Sequence, residues 1–276
     1  MIRLDRPALP ALDFVPLTPE HLPAALLLSQ AAGWLHRTED WELTLSVSKG
    51  VAAMDGERLV GTALCSAFGP VATLNMIIVA ESMRGRGVGR QLMQRVMALA
   101  GDREMRLVGT QEGLPLYRKL GFVERGRILQ HQGLARALPP ERPVRIGPEN
   151  LETLAALDTA ASGMERTALL ARIAALGETL RTDGGFAFLR SFGRGHVVGP
   201  VVARDAGAAC ALISAAAERM AGRLLRVDLI EEHGLAPHVE ALGLASVGDG
   251  TAMVHSPRSH PSSDYQTYAL VSQALG

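Results

Sequence analysis

Residues 71–100 run without a break from the apolar stretch VATLNMIIV through AESMRGRG to the helical pattern VGRQLMQRVMALA. This strand–loop–helix order constrains the chain more than any other feature. Three glycines and three arginines (Arg84, Gly85, Arg86, Gly87, Gly89 and Arg90) fall within seven residues at the helix start. A helix start leaves backbone N–H groups unpaired and carries a partial positive charge. Glycines ahead of it let the backbone close around an anion without Cβ collisions. The segment therefore reads as a pyrophosphate-binding turn, against the competing reading of a tight strand–helix turn with solvated arginines.

Two familiar phosphate loops do not fit. A P-loop needs G-x-x-x-x-G-K-[ST], and the chain has no Gly-Lys pair. A dinucleotide fingerprint needs G-x-G-x-x-G/A, but the last position is Arg90 when counted from Gly85 and Leu92 when counted from Gly87. The loop also follows a hairpin and several strands, whereas that fingerprint opens a βαβ unit. A nucleotide-dependent oxidoreductase is disfavoured on both grounds.

Around the loop the elements fall in a regular order. LTPEHLPAALLLSQAAGW reads as a helix with Thr18 as N-cap, Pro19 at its first position and Leu22 and Leu26 on one face. A short helix follows in TEDWELTLSV. VAAMDGERLVGTALCSAF reads as a hairpin turning at Asp55-Gly56 in a type I′ turn. In the helix after the loop, Val88, Leu92, Val96 and Leu99 form the apolar stripe. MRLVGT is a strand, GLPLYRKLGF a short helix closed by Gly121, and Phe122 begins another strand. Residues 136–150 hold four prolines and read as a linker. Beyond it the order repeats, with helices at 149–161 and 164–176, strands at 185–190 and 196–203, a helix at 205–221, a strand at 224–230, a short helix at 235–242 and a last strand at 251–255. EALGLASVG echoes RKLGFVERG, so the halves read as two copies of one α/β unit, the second diverged.

Composition limits what such a chain binds. Lys plus Arg and Asp plus Glu balance at 28 each, which argues against a nucleic-acid or membrane binder. Apolar residues make up 47%, enough for a large core. Cys65 and Cys210 sit in apolar stretches and read as free thiols. No apolar run approaches the roughly 18 residues of a membrane span, and MIRLDRPALPALDF has Pro and Asp where a signal peptide needs an apolar block. The expectation is a cytoplasmic protein.

The motif Arg84-Gly85-Arg86-Gly87-Val88-Gly89 resembles the R-x-x-G-x-G acetyl-CoA loop of the GNAT superfamily of N-acetyltransferases, and LYRKLGF (116–122) resembles that family's L-Y-x-x-x-G-F segment. The element order is also similar. The resemblance covers residues 12–135 clearly and is architectural over 144–276. It implies an α/β (α+β) fold of two GNAT-like domains, each a mixed twisted sheet flanked by helices. Residues 1–138 form the catalytic domain and 139–276 a degenerate one. Where the family often has Pro two residues past the strand's final Val, this chain has Glu81.

The resemblance also implies site roles. Backbone groups of Ile77, Ile78 and Val79 hold pantetheine and polarise the thioester carbonyl. Amides from Gly85 to Arg90, Val88 and Gly89 included, hold the pyrophosphate, with charge from Arg84 and Arg86. Thr110 stands where the family often has a cofactor-contacting Asn. Tyr117 matches the tyrosine beside the thioester sulfur and acts as general acid. The co-substrate is acetyl-CoA, without a metal. The acceptor is a primary amine, on a small molecule or a protein.

The base is open. The position of one common family Glu is Met105, leaving Glu81, Asn75, Glu112 and the Glu39-Asp40 pair. That pair lies between Trp34 and Trp41, and the four together are candidates for shaping the amine pocket. The histidines, His131 among them, show no metal-ligand spacing. In the second half Val239 stands at the tyrosine's place, and Asp205-Ala206-Gly207-Ala208 replaces the glycine–arginine loop. That half is expected not to bind acetyl-CoA. Covering the acceptor site, selecting substrate and forming a homodimer are its open roles, with Arg166 and His196 as polar candidates. The rival to catalysis is an acyl-CoA-binding or sensor module that turns over no acceptor.

Overall fold

The computed structural model of the chain describes residues 12–276. The first half contains β1 (Asp13–Leu17), α1 (Leu22–Ala31), α2 (Thr38–Ser46), β2 (Lys49–Asp55), β3 (Arg58–Phe68), β4 (Val71–Val79), α3 (Val88–Ala100), β5 (Glu104–Gly109), α4 (Leu114–Lys119) and β6 (Val123–Leu134). The second contains β7 (Arg145–Ile146), α5 (Leu151–Ser162), α6 (Thr167–Leu176), β8 (Gly177–Thr182), β9 (Gly185–Phe192), β10 (Gly195–Ala203), α7 (Ala206–Arg219), β11 (Leu224–Ile230), α8 (Ala236–Ala241), β12 (Ala245–His255) and β13 (Gln266–Ala269). Residues 136–144, the first part of the proline-rich stretch, are neither helix nor strand. The reading of the N-terminal stretch falls mainly on residues 1–11, outside the described residues.

All thirteen strands join one sheet in the order β1-β2-β3-β4-β5-β12-β6-β11-β13-β10-β9-β8-β7. Its centre is an exchange. β12 enters the first half beside β5, pairing Thr251 with Gly109 and His255 with Met105. β6 passes to the second half beside β11, pairing Leu134 with Leu224 and Ile128 with Ile230. β6 and β12 also pair with each other. The sheet therefore runs across the proline-rich stretch, and so does the core: Phe68 and Val71 pack in one buried cluster with Leu154, Leu170, Phe186 and Phe188.

Several elements differ from the sequence expectation. The first hairpin pairs Asp55 with Arg58, so its two turn residues are Gly56 and Glu57. Only Gly56 has positive φ, at 58°. A type I′ turn needs it at both positions, whereas II′ needs it at the first alone, where glycine stands. On α3, Val88, Leu92, Met93, Val96 and Ala100 are buried, but Leu99 is 41% exposed. Projected at about 100° per residue, Leu99 falls between Val88 and Leu92, on the side of the stripe away from Met93 and Ala100. β1, β7 and β8 are short or edge strands with no strong alternation. β12 is longer than expected, and β13 was not expected at all.

Candidate active site

The site begins where two parallel strands part. β4 and β5 pair only at Val71–Glu104, Ala72–Met105 and Thr73–Arg106. Beyond that rung β4 is bulged: its register with β3 shifts between Thr62 and Leu64, and Met76 has φ 48°. A non-glycine residue there is strained. Thr62 offsets the strain by donating its hydroxyl to the Met76 carbonyl at 2.7 Å. Past the bulge, Ile78 and Val79 stay paired with β3, at Thr62 and Gly61. Their β5-facing side has no strand partner among the described residues, which leaves a gap.

The glycine–arginine loop lies just beyond the gap. A short 3-10 turn, Glu81–Met83, leads into Gly85 at φ 73° and Gly87 at φ 78°. Nothing lies within 4 Å of where a Cβ would stand at either glycine, so backbone conformation rather than crowding requires them. Gly87 is the N-cap of α3, and no acidic residue occupies that helix's first turn. Val88 is buried and anchors the turn, while Arg84, Arg86 and Arg90 are exposed. Arg84 meets Glu112 at 3.4 Å. Arg86 and Arg90 have no carboxylate within 4 Å among the described residues. The loop thus presents unpaired amides and positive charge in one place, as an anion requires.

A cavity of about 220 Å³ occupies the gap. Leu74, Asn75, Met76 and Ile77 of β4 line it, with Val108, Thr110 and Tyr117 opposite. Tyr117 is buried and packs edge-on against Phe122, ring centroids 6.3 Å apart. A Cβ on Gly113 would stand 3.0 Å from its hydroxyl oxygen, so a glycine is what admits the ring. Burial pushes the phenol up to about 12, which keeps it a proton donor at neutral pH. Asn75 donates its amide to the Ser66 hydroxyl at 2.9 Å, and its Oδ1 is buried without a partner among the described residues.

The other wall comes from Trp34, His36 and the second half. His36 packs edge-on against Trp34 and Phe192, at 5.9 and 5.8 Å. Its Nδ1 has no partner among the described residues, and burial lowers the imidazole to about 4. Phe192, Arg194, His196 and Arg226 complete the wall. Nothing in the sequence pointed to His36, Phe192, Arg194 or Arg226, because the fold draws them from well-separated segments.

The acidic pair and the tryptophans are placed differently from expectation. Trp34 lines the cavity, but Trp41 is fully buried in the core and donates to the Ser29 hydroxyl at 3.1 Å. Asp40 is buried. It accepts from Arg37 Nη2 and from the Gly193 amide, both at 2.9 Å. Burial works against its charge, but these bonds outweigh it and hold the carboxyl below the usual range. Glu39 points to solvent, 65% exposed. Trp41, Glu39 and Asp40 therefore do not line the cavity. Glu81 and Glu112 are exposed, and Met105 lies in the α3 core. Arg166, buried, grips Asp158 at 2.7 Å and the Leu275 carbonyl at 3.0 Å, which makes it a structural tie.

The second half repeats the bulge but fills the gap. β10 and β11 pair at His196–Leu225 and Val197–Arg226, and β10 then shifts register around the cis Gly199-Pro200 bond. β13 enters where the strands part, pairing with Val201, Val202 and Ala203 on one side and Leu229 on the other. A Cβ on Gly199 would stand 2.0 Å from the Leu270 carbonyl oxygen. Asp205 caps α7 through the Ala208 amide at 2.9 Å and pairs with Arg142 at 2.8 Å. Val239 is fully buried.

Among the described residues, no cluster of three His, Cys, Asp or Glu could hold a metal, and no helix is long and apolar enough to cross a membrane. Comparison with known proteins agrees with the fold. Two family models, each described as an acetyltransferase (GNAT) domain, match residues 48–124 and 154–269. The uncharacterized N-acetyltransferase YitH of Bacillus subtilis is 27% identical over 283 residues, covering 96% of this chain and 98% of that one. The crystal structure of a putative acetyltransferase from Pyrococcus horikoshii superposes with a TM-score of 0.84 at 19% identity, covering 100% of this chain and 99% of that one. A tandem GNAT protein from the clavulanic acid biosynthesis pathway superposes at 0.60 with 17% identity, covering 90% and 100%. The two domain matches and the related N-acetyltransferase support an acyl-CoA-dependent acyltransferase. The chain belongs to the GNAT acetyltransferase family, with two GNAT domains in tandem.

Proposed function

We propose that the first half transfers an acetyl group from acetyl-CoA to a primary amine, with Tyr117 as general acid. The observation that carries this reading is the open β4–β5 gap with the Gly85–Arg90 loop at one end and Tyr117 in its wall. The unpartnered loop amides and the space beside Gly85 and Gly87 suit a pyrophosphate. Bound acetyl-CoA supplies an acetyl thioester. Ile77, Ile78 and Val79 would offer backbone groups to pantetheine, and their N–H groups would polarise the thioester carbonyl. Thr110 would add a hydroxyl contact.

Tyr117 would give its phenolic proton to the sulfur as the C–S bond breaks and the C–N bond forms. The nitrogen's surplus proton would pass to water, and a proton from water would restore the Tyr117 phenol. No carboxylate lines the cavity among the described residues, and His36 is too weak a base at neutral pH. Asn75 Oδ1 would accept an N–H of the neutral amine and orient it. The test is amine-dependent release of free CoA thiol by the purified chain, with mass-spectrometric detection of the acetylated amine.

The absence of a lining carboxylate favours a second reading, an acyl-CoA-binding module that turns over no acceptor. Amine-dependent turnover that falls in Tyr117→Phe removes it. In either reading the second half contributes a wall of the cavity rather than a second acyl-CoA site.

A further inference from the structure

We infer that the acceptor is a small primary amine carrying an anionic group, and that the second half recognises the anion through Arg226 and Arg194. This inference rests on the acetyl-transfer reading above. The cavity, about 220 Å³, suits a small molecule. Among the described residues its wall has two arginines and no aspartate or glutamate. A polyamine or a lysine-rich segment would meet like charge there with nothing to neutralise it.

Arg226 is built to present a fixed edge. Its Nε and Nη2 fork onto Asp228, at 3.0 and 2.9 Å, and Asp228 is fully buried. That fork fixes the guanidinium plane. The carbon of the guanidinium lies 5.1 Å from the Phe192 ring centroid, and Arg190 lies 5.0 Å from the same ring. Arg226 Nη1 has no hydrogen-bond partner among the described residues. A planar, oriented guanidinium edge is the group that pairs best with a carboxylate or phosphate. Arg194, exposed at the rim, has no carboxylate within 4 Å among the described residues.

The surroundings keep a net positive charge. Arg37, Arg190, Arg194 and Arg226 stand near Asp40, Asp228 and the exposed Glu39 that meets Arg37 at 4.0 Å, four positive charges against three negative. Asn75 Oδ1, His36 Nδ1 and His196 Nδ1 are buried, unpartnered among the described residues, and on residues of the cavity wall. Buried polar atoms left unpaired are rare and costly, and a bound ligand is one way to satisfy them. The ligand's amine would lie at the Asn75 and Tyr117 side and its anion at the Arg226 and Arg194 side.

The test uses the full chain with saturating acetyl-CoA and reads thiol release. The probes are the proteinogenic amino acids, β-alanine and O-phosphoethanolamine, against the amino-acid carboxamides, ethanolamine and spermidine. The expected result is an anionic amine whose kcat/KM exceeds that of its uncharged counterpart by about tenfold or more, the range for a charge-assisted hydrogen bond. Amino acids and O-phosphoethanolamine tell a carboxylate from a phosphate. Arg226→Gln should narrow the ratio by a similar factor. Because that variant leaves Asp228 buried without its partner, Arg194→Gln, at an exposed position, is the companion that keeps the fold and should narrow the ratio too. Carboxamides, ethanolamine or spermidine turned over as well as the anionic amines would overturn the inference and leave acetyl transfer standing. No thiol release with any amine would overturn both.

Discussion

The amide of Leu270 donates a 2.9 Å hydrogen bond to the carbonyl of Asp228. With that bond and the β13 rungs beside it, the chain closes in its second half the gap that it leaves open in its first. Both halves bulge the strand before the gap, at Asn75-Met76 and at Gly199-Pro200. They differ in what comes next to the bulge. In the first half it faces a cavity; in the second it faces four residues of the chain's own last strand.

One consequence is stoichiometry. Calorimetric titration with acetyl-CoA should give one site per chain. Gly87→Glu should abolish it, because the substitution forces a side chain onto a left-handed residue and sets a carboxylate where a phosphate would lie. Two sites would mean that β13 yields to ligand. Binding that survives Gly87→Glu would detach the loop from the cofactor.

Tyr117→Phe should lower kcat by about one to three orders of magnitude, with little change in acetyl-CoA affinity. The hydroxyl is held near a pKa of about 12, so its ionisation should leave no alkaline limb in the kcat profile at physiological pH. Steady-state kinetics across pH on both proteins checks this. Equal kcat values would take Tyr117 out of the reaction.

The first-half architecture and the loop were legible because each depends on local signals: glycines at positive φ, an N-cap, an apolar stripe. The exchange of β6 and β12 was not. No local pattern distinguishes a strand that returns to its own sheet from one that joins its neighbour's. That exchange brings Arg226 and Phe192 to a cavity opened by Asn75, so the acceptor wall stayed hidden for the same reason. β13 was missed because a four-residue strand between two others has too little alternation to announce itself. The Glu39-Asp40 pair misled because sequence proximity to two tryptophans says nothing about which way each side chain faces.

Trp41 and Trp34 should therefore behave differently. Trp41 is fully buried and hydrogen-bonded to Ser29. Trp41→Ala should cost about 3–5 kcal/mol of stability, the usual range for emptying a buried aromatic site. Trp34 is only half-buried and faces the cavity. Trp34→Ala should cost clearly less and should raise acceptor KM. Denaturant unfolding and acceptor kinetics on both variants separate the roles. A stability loss of equal size in both would place Trp34 in the core as well.

His36 makes the fold sensitive to mild acid. Burial lowers its folded pKa to about 4 from an ordinary value of 6.5, with Asp40 opposing and Arg226 and Arg190 assisting the shift. Between those values the unfolded chain takes up a proton that the folded chain refuses, so stability falls as pH drops through the window. Above pH 6.5 both states hold a neutral ring, and this contribution to the slope vanishes. Below pH 4 both are protonated, and the loss is complete. His196, also lowered by burial, adds a slope of the same sign, so removing His36 should flatten the decline without abolishing it. The check is urea unfolding of the parent and of His36→Phe at pH 7.5, 6.0 and 5.0. The ring replacement keeps the edge-on packing against Trp34 and Phe192 and removes the titrating nitrogens. The parent should lose more stability than the variant over that span, and parallel losses would mean that His36 charges freely in the folded protein.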